Sequence, residues 1–259
     1  MTPQFFAALS AGVGAALGSF INVLVLRAGT GRSAVAGRSR CMNCGAVLRP
    51  GDMVPVFSYV FLRGKCRHCR RYISLQYPLV EAAAAALAVL TYLAHPQFLV
   101  FIFWFLIWMV LLFIAVYDAR YKIIPPWGSV ILGVCALGFA ALNGTFFSGV
   151  LLSSPLFLAS LLSRGRAMGW GDGVLEISLG WLLGLSAGLT ALMFAFWSGA
   201  VVGIALLLSS KRPASPKTPS RGGYTMKSEV PLAPFLILGA AAAHFLHVDF
   251  FPSLPLLFS

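Results

Sequence analysis

Residues 98–117 read FLVFIFWFLIWMVLLFIAVY, and Asp118-Ala119-Arg120-Tyr121-Lys122 follows directly. A run of ~20 apolar residues matches the length of a helix crossing the hydrocarbon core of a bilayer. Backbone groups in lipid must be satisfied within the segment, so the stretch reads as a helix. Working outward, seven further apolar stretches have the same character: 5–26, 78–94, 127–142, 147–162, 173–189, 190–208 and 230–246. The last two before the C-terminal span are expected to join at a tight turn near Gly188. Hydrophobic residues make up 59% of the chain and charged residues only 10%, which excludes an ordinary soluble domain. The expected fold is an all-α polytopic membrane protein with about eight transmembrane helices and one small polar loop domain.

The net charge of +12 would suggest nucleic acid in a soluble protein. Here the basic residues follow topology, and no nucleic-acid partner is expected. With eight spans, the nineteen Lys and Arg divide as ten in residues 27–77, two in 118–126, two in 164–172 and five in 209–228. All four regions fall on one side, which the positive-inside rule makes cytoplasmic. The turns at 95–97, 143–146 and 188–190 carry none. Both termini are then expected outside the cytoplasm. The first span lacks a cleavable signal pattern, because its basic residues follow it. Residues 209–228, rich in Ser, Pro, Lys and Arg, read as a flexible loop.

Only seven Asp and Glu occur in the chain. An acid within or at the edge of a membrane segment is costly, and by default marks a functional site. Asp118 ends the 98–117 run. Asp172 stands in Gly169-Trp170-Gly171-Asp172-Gly173, between a basic loop and an apolar helix. The topology puts both at the same depth, where two carboxylates sharing a proton would have the chemistry of an aspartic protease. The plainer reading makes them loop acids paired with Arg120 or Arg166. Glu176, four residues after Asp172 on the same helical face, reads as tuning Asp172, lining a polar cavity, or snorkelling at the periphery. Glu81, near the start of its span, suits the helix dipole. Asp52, Glu229 and Asp249 read as solvated charges.

Cys41-Met42-Asn43-Cys44 and Cys66-Arg67-His68-Cys69 are two Cys-x-x-Cys knuckles separated by 21 residues. That spacing is close to a four-cysteine zinc ribbon, with two thiolates from each knuckle on a tetrahedral Zn²⁺. Four protein ligands leave no open position, so the metal would be structural. The alternative is two pairs of free or oxidised thiols. His68 reads as solvated and Cys135 as packing.

These residues resemble the bifunctional prepilin leader peptidases/N-methyltransferases of type IV pilus and type II secretion systems. The resemblance begins at Gly18-Ser19-Phe20-Ile21-Asn22-Val23 and continues through Arg40-Cys41-Met42-Asn43-Cys44-Gly45, Val54-Pro55-Val56-Phe57-Ser58-Tyr59 and Leu62-Arg63-Gly64-Lys65-Cys66-Arg67-His68-Cys69. Ile73-Ser74 and Tyr77-Pro78-Leu79-Val80-Glu81 complete that block. Downstream, Asp118, Pro125, Gly169 to Asp172 and Val230-Pro231-Leu232-Ala233-Pro234-Phe235 follow in the family's order.

The resemblance implies a Gly-x-Gly-Asp aspartyl protease of the bacterial inner membrane. It would cut the basic leader from prepilins or pseudopilins at the cytoplasmic face, then methylate the new N-terminal amine with S-adenosylmethionine. Asp118 and Asp172 would be the catalytic acids, with Gly169, Gly171 and Gly173 admitting backbone and substrate. Gly64 and Lys65 would support methyl transfer. The implied organisation is a first transmembrane helix at 1–27, a cytoplasmic zinc-binding loop at 28–77, and a seven-helix peptidase domain at 78–259. The chain departs from the family at Val174, where Lys is usual, and at Pro126, where Asp or Asn is common. It also lacks a Rossmann-type glycine fingerprint. Two other classes fit the same acids and cysteines: a noncatalytic assembly factor docking through the zinc loop, and an ion-coupled transporter.

Overall fold

The computed structural model describes residues 2–30, 33, 37–165, 168–210 and 231–252. Arg166, Glu229, Val230 and residues 211–228 of the basic loop lie outside the described residues. The described chain has no strand, only isolated β-bridges at Arg40–Val47 and Lys65–Tyr72. Its helices are α1 Pro3–Arg27, α2 Phe57–Phe61, α3 Gln76–Ala94, α4 Phe98–Tyr121, α5 Pro126–Asn143, α6 Phe146–Leu162, α7 Trp170–Ser210 and α8 Ala233–Leu246. Helices α1, α3, α4, α5 and α7 are long and apolar enough to cross a bilayer, and α6 and α8 are shorter apolar helices. The chain is an all-α polytopic membrane protein.

Helix α7 corrects the expected turn. Its 41 residues would measure about 60 Å if straight, roughly twice a bilayer core. Gly184 breaks it with φ 79° and ψ −178°, a conformation open to glycine and little else. A β-carbon built on Gly188 would lie 3.5 Å from the Gly180 Cα, whereas eight residues of straight helix rise about 12 Å. The chain therefore folds back at Gly184, not near Gly188, and α7 is two limbs. With them, eight apolar helical segments are present among the described residues. Gly188 is small for another reason: a methyl there would run into Leu152 Cδ1.

The chain divides into two compact units, Met1–Val116 and Tyr117–Ser259. In the first, α1 packs along α3. A β-carbon at Gly14 would sit 2.6 Å from the Ala84 carbonyl oxygen, and one at Gly18 would sit 2.8 Å from Ala84 Cβ. Small residues on both helices thus bring the backbones together. Buried Asn22 donates Nδ2 to the Tyr77 carbonyl at 3.2 Å. Glu81 is buried, and accepts the Val56 N–H at 2.7 Å, so it is a tether and more than a dipole partner. Val56 has φ 62° and ψ −51°, with the Phe57 N–H donating to the Pro55 carbonyl at 2.6 Å. That is a γ-turn of the rare hand, strained for a β-branched residue.

In the second unit, α6, the two limbs of α7, and α8 meet through glycines. Gly149 abuts Ile177 and Trp181, Gly180 abuts Gly149, and Gly239 abuts the Ala191 backbone. Asp249, expected in solvent, accepts the Ser186 hydroxyl at 2.6 Å and the Phe251 N–H at 2.8 Å. It thereby ties the chain after α8 to the start of the second α7 limb. Asp52 in the first unit is likewise engaged, accepting Arg67 Nε at 2.9 Å and an Arg67 terminal nitrogen at 2.6 Å. The Arg67 guanidinium holds that carboxyl below the usual carboxylate range.

Candidate functional site

Helix α4 continues one turn beyond the 98–117 run, so Asp118 lies within its last turn. Lys122, at φ 56°, closes the helix by donating its N–H to the Asp118 carbonyl at 2.7 Å. The Asp118 side chain is 4% exposed, and its Oδ2 accepts the Ala233 N–H at 3.2 Å. That donor is the first residue of α8, one of the orphan amides every helix start must satisfy. Asp118 thus caps α8 from the end of α4.

Asp172 occupies the first turn of α7, where the helix dipole favours a carboxylate. Its Oδ2 accepts the Gly169 N–H at 3.2 Å, and its own N–H donates to the Gly169 carbonyl at 3.2 Å. This reciprocal pair fixes the acid at the helix entrance. Asp172 is half-buried where Asp118 is closed off. The two carboxylates, 54 residues apart in sequence, lie near enough for the charge of Asp118 to act on Asp172.

The three glycines differ in what they admit. A β-carbon at Gly171 would stand 3.0 Å from Ile124 Cβ, which brings the α4–α5 connection against the start of α7. One at Gly173 would stand 2.8 Å from Phe157. Gly169 is exposed, with Asp172 Oδ2 itself 3.4 Å from its would-be methyl. Protein atoms fill the space at Gly171 and Gly173, whereas Gly169 is exposed. One turn further along α7, Glu176 is fully buried, and neither oxygen has a hydrogen-bond partner among the described residues. It does not snorkel.

In the first unit, the sulfurs of Cys41, Cys44, Cys66 and Cys69 all lie within 4.8 Å of one another. Cys41 and Cys69, from different knuckles, are 3.9 Å apart, close to the ~3.8 Å edge of a tetrahedron with Zn–S of about 2.3 Å. The knuckles are built alike. Cys41 N–H donates to the Ala46 carbonyl and Cys66 N–H to the Arg71 carbonyl. Gly45 (φ 71°) and Arg70 (φ 56°) take the left-handed position after each second cysteine. Backbone N–H groups of Cys44 and Asn43 hold the Cys41 thiol down. The Arg71 N–H, helped by Asn43, pulls Cys69 to about 6. Cys44 accepts the Ala46 N–H yet is pushed up to about 11 by desolvation and the neighbouring thiols. Four crowded sulfurs of this kind can all be thiolates only around a cation.

Gly64 and Lys65 belong to the second knuckle. Gly64 has φ 67°, and a methyl there would lie 2.9 Å from the Tyr59 hydroxyl. Lys65 Nζ rests 4.9 Å above the Tyr72 ring and lines a cavity of about 380 Å³ with Phe61, Leu62, Cys66 and three arginines. Sequence reasoning missed the Ala233 amide, Ile124 and Glu81 as working parts. A backbone donor and a packing contact leave no side-chain signature, and Glu81 is separated from Val56 by 25 residues.

A family model described as "Bacterial Peptidase A24 N-terminal domain" matches residues 13–95. A prepilin leader peptidase/N-methyltransferase of Burkholderia pseudomallei is 31% identical over 224 residues, covering 83% of this chain and 69% of the relative. One of Myxococcus xanthus is 34% identical, covering 80% and 64%. One of Bacillus subtilis is 28% identical, covering 89% and 90%. No solved structure matches. On this likeness, which runs through the cysteine loop and both acid-bearing segments, the chain belongs to the prepilin leader peptidase/N-methyltransferase family.

Proposed function

We propose that the chain is a membrane aspartyl endopeptidase that removes the basic leader of prepilins or pseudopilins, and then N-methylates the exposed residue. The observation that carries the proteolytic half is the pairing of closed Asp118 with half-open Asp172 at adjoining helix ends. One carboxylate takes a proton from water as its oxygen attacks the scissile carbonyl carbon, while the other, protonated, donates to the carbonyl oxygen. Collapse of the tetrahedral intermediate breaks the C–N bond, and the departing amine takes up a proton. Gly169 leaves the approach to Asp172 open, and the Ala233 and Gly169 amides hold the acids in place.

The four cysteines would hold a structural Zn²⁺, organising the loop that carries Gly64 and Lys65. S-adenosylmethionine would supply the methyl group to the new amine. The cations around the cavity beside Lys65 suit the carboxylate of such a cofactor. The acids and the loop are assigned to the cytoplasmic face of the bacterial inner membrane, by the placement of Lys and Arg.

The test incubates the purified chain with a prepilin and S-adenosylmethionine and weighs the product. Loss of the leader mass supports the peptidase, and one further methyl supports the transferase. An intact prepilin that nevertheless binds would return the chain to the assembly-factor reading.

A further inference from the structure

Helix α2 is the one α-helix among the described residues of the polar loop, and its outer face is apolar. Phe57, Val60 and Phe61 fall at i, i+3 and i+4, on one side, and are 64%, 66% and 83% exposed. The other side is spoken for: Gly64 donates its N–H to the Tyr59 carbonyl, and the Tyr59 ring lies against Gly64. Three large apolar side chains displayed together on a five-residue helix are not a solvated surface.

The level at which this face lies is set by Glu81. Its carboxylate holds the Val56 N–H at the entrance of α2. Glu81 is five residues into the membrane helix α3, about 7.5 Å along its axis from Gln76. Helix α2 is thus pinned beside the first turns of a bilayer-spanning segment, at headgroup depth. The strained γ-turn at Val56 stands at that tether. Charge follows the same geometry. Residues 53–80 contain no Asp or Glu, and carry Arg63, Lys65, Arg70 and Arg71 besides Arg67, which is paired with Asp52.

We propose that α2 is an interfacial anchor, which lays Phe57, Val60 and Phe61 into the acyl boundary of an anionic bilayer while the basic segment after it meets the lipid phosphates. Apolar burial with electrostatic attraction is the pairing that holds amphipathic segments at membrane surfaces. A basic prepilin leader would be repelled by the same charge. This inference is independent of the peptidase reading; it shares Phe61, Arg63, Lys65 and Arg70 with the cavity assigned to the methyl donor, and does not require that cavity to be filled.

The full chain is placed in nanodiscs of phosphatidylglycerol or of phosphatidylcholine, and amide exchange is followed over residues 57–61. Exchange at least about tenfold slower in phosphatidylglycerol, with the difference lost at high salt, is expected. Equal exchange in both lipids overturns the proposal. In parallel, p-benzoylphenylalanine replaces Phe61 or, as control, Met42, which is 76% exposed on the first knuckle. Illumination should give a lipid adduct from position 61 and little from 42. Adducts at 61 with a second copy of the chain or an added prepilin, or equal lipid labelling at the two positions, overturn it. Should the substituted chains lose cysteine-bound zinc, the exchange result on the unsubstituted chain decides.

Discussion

A carboxylate buried in a membrane protein costs stability unless it is partnered or used, and we assign Asp118 and Glu176 to opposite sides of that line. Asp118 has the Ala233 amide and lies within electrostatic reach of Asp172. Asp118→Asn keeps the shape of the side chain and removes its acid–base function, so prepilin cleavage should fall by about 10²–10⁴-fold. Asp172→Asn should do the same. Both variants should retain the thermal midpoint of the parent within a few degrees, and cleavage at the parental rate by either would remove the pair from catalysis. Glu176 has neither solvent nor a hydrogen-bond partner among the described residues. Glu176→Leu is expected to stabilise the chain by about 1–3 kcal/mol, the penalty for an unpartnered buried polar group. The reading is a raised midpoint in detergent with cleavage unchanged; lower stability together with slower cleavage would show that the carboxyl is used. These acids stood out in the sequence because acids are so few. Asp249 and Asp52 read as solvated in the sequence because their partners, Ser186 and Arg67, lie 63 and 15 residues away.

At the scale of the helix, hydropathy located the spans because lipid leaves a chain little choice but a long apolar helix. It could not locate the reversal inside α7, where both sides of Gly184 are apolar and no charged residue marks the bend. Gly184, Gly188 and Gly239 look alike in the sequence but meet different obstacles, which allows them to be ranked. Gly184→Ala forces a β-carbon into φ 79°, at a cost of about 1–3 kcal/mol. Gly239→Ala drives a methyl onto the Ala191 carbonyl oxygen, so the second α7 limb and α8 must separate, also at about 1–3 kcal/mol. Gly188→Ala meets only the tip of Leu152, which can change rotamer. Thermal unfolding should place Gly188→Ala nearest the parent and the other two well below it. A larger loss at Gly188 would mean that Leu152 is locked and the α6–α7 contact is the less forgiving one.

Across the whole molecule, two compact units hold two kinds of order. Helices α5 to α8 are stabilised by close backbone packing at Gly149, Gly180 and Gly239. The described loop between α1 and α3 has little besides two isolated β-bridges, one five-residue helix and the Arg67–Asp52 pair. Of its large apolar side chains, Met42, Phe57, Val60, Phe61 and Tyr72 are exposed, so it has almost no core of its own. Four sulfurs within 4.8 Å then have to supply what burial does not, and a structural Zn²⁺ contributes about 10–16 kcal/mol in small domains. Cys66 is the buried member of the set, so Cys66→Ser should lower bound zinc from one per chain to none. Exchange of amides 40–72 should then accelerate by at least about 10²-fold, a small part of what the metal contributes. Amides of α7 and α8 should keep their protection, because no cysteine of the cluster belongs to that unit. If the loop stays protected without metal, its order comes from the tether at Glu81 and the bilayer contact of α2, and the cysteines are relieved of their structural role.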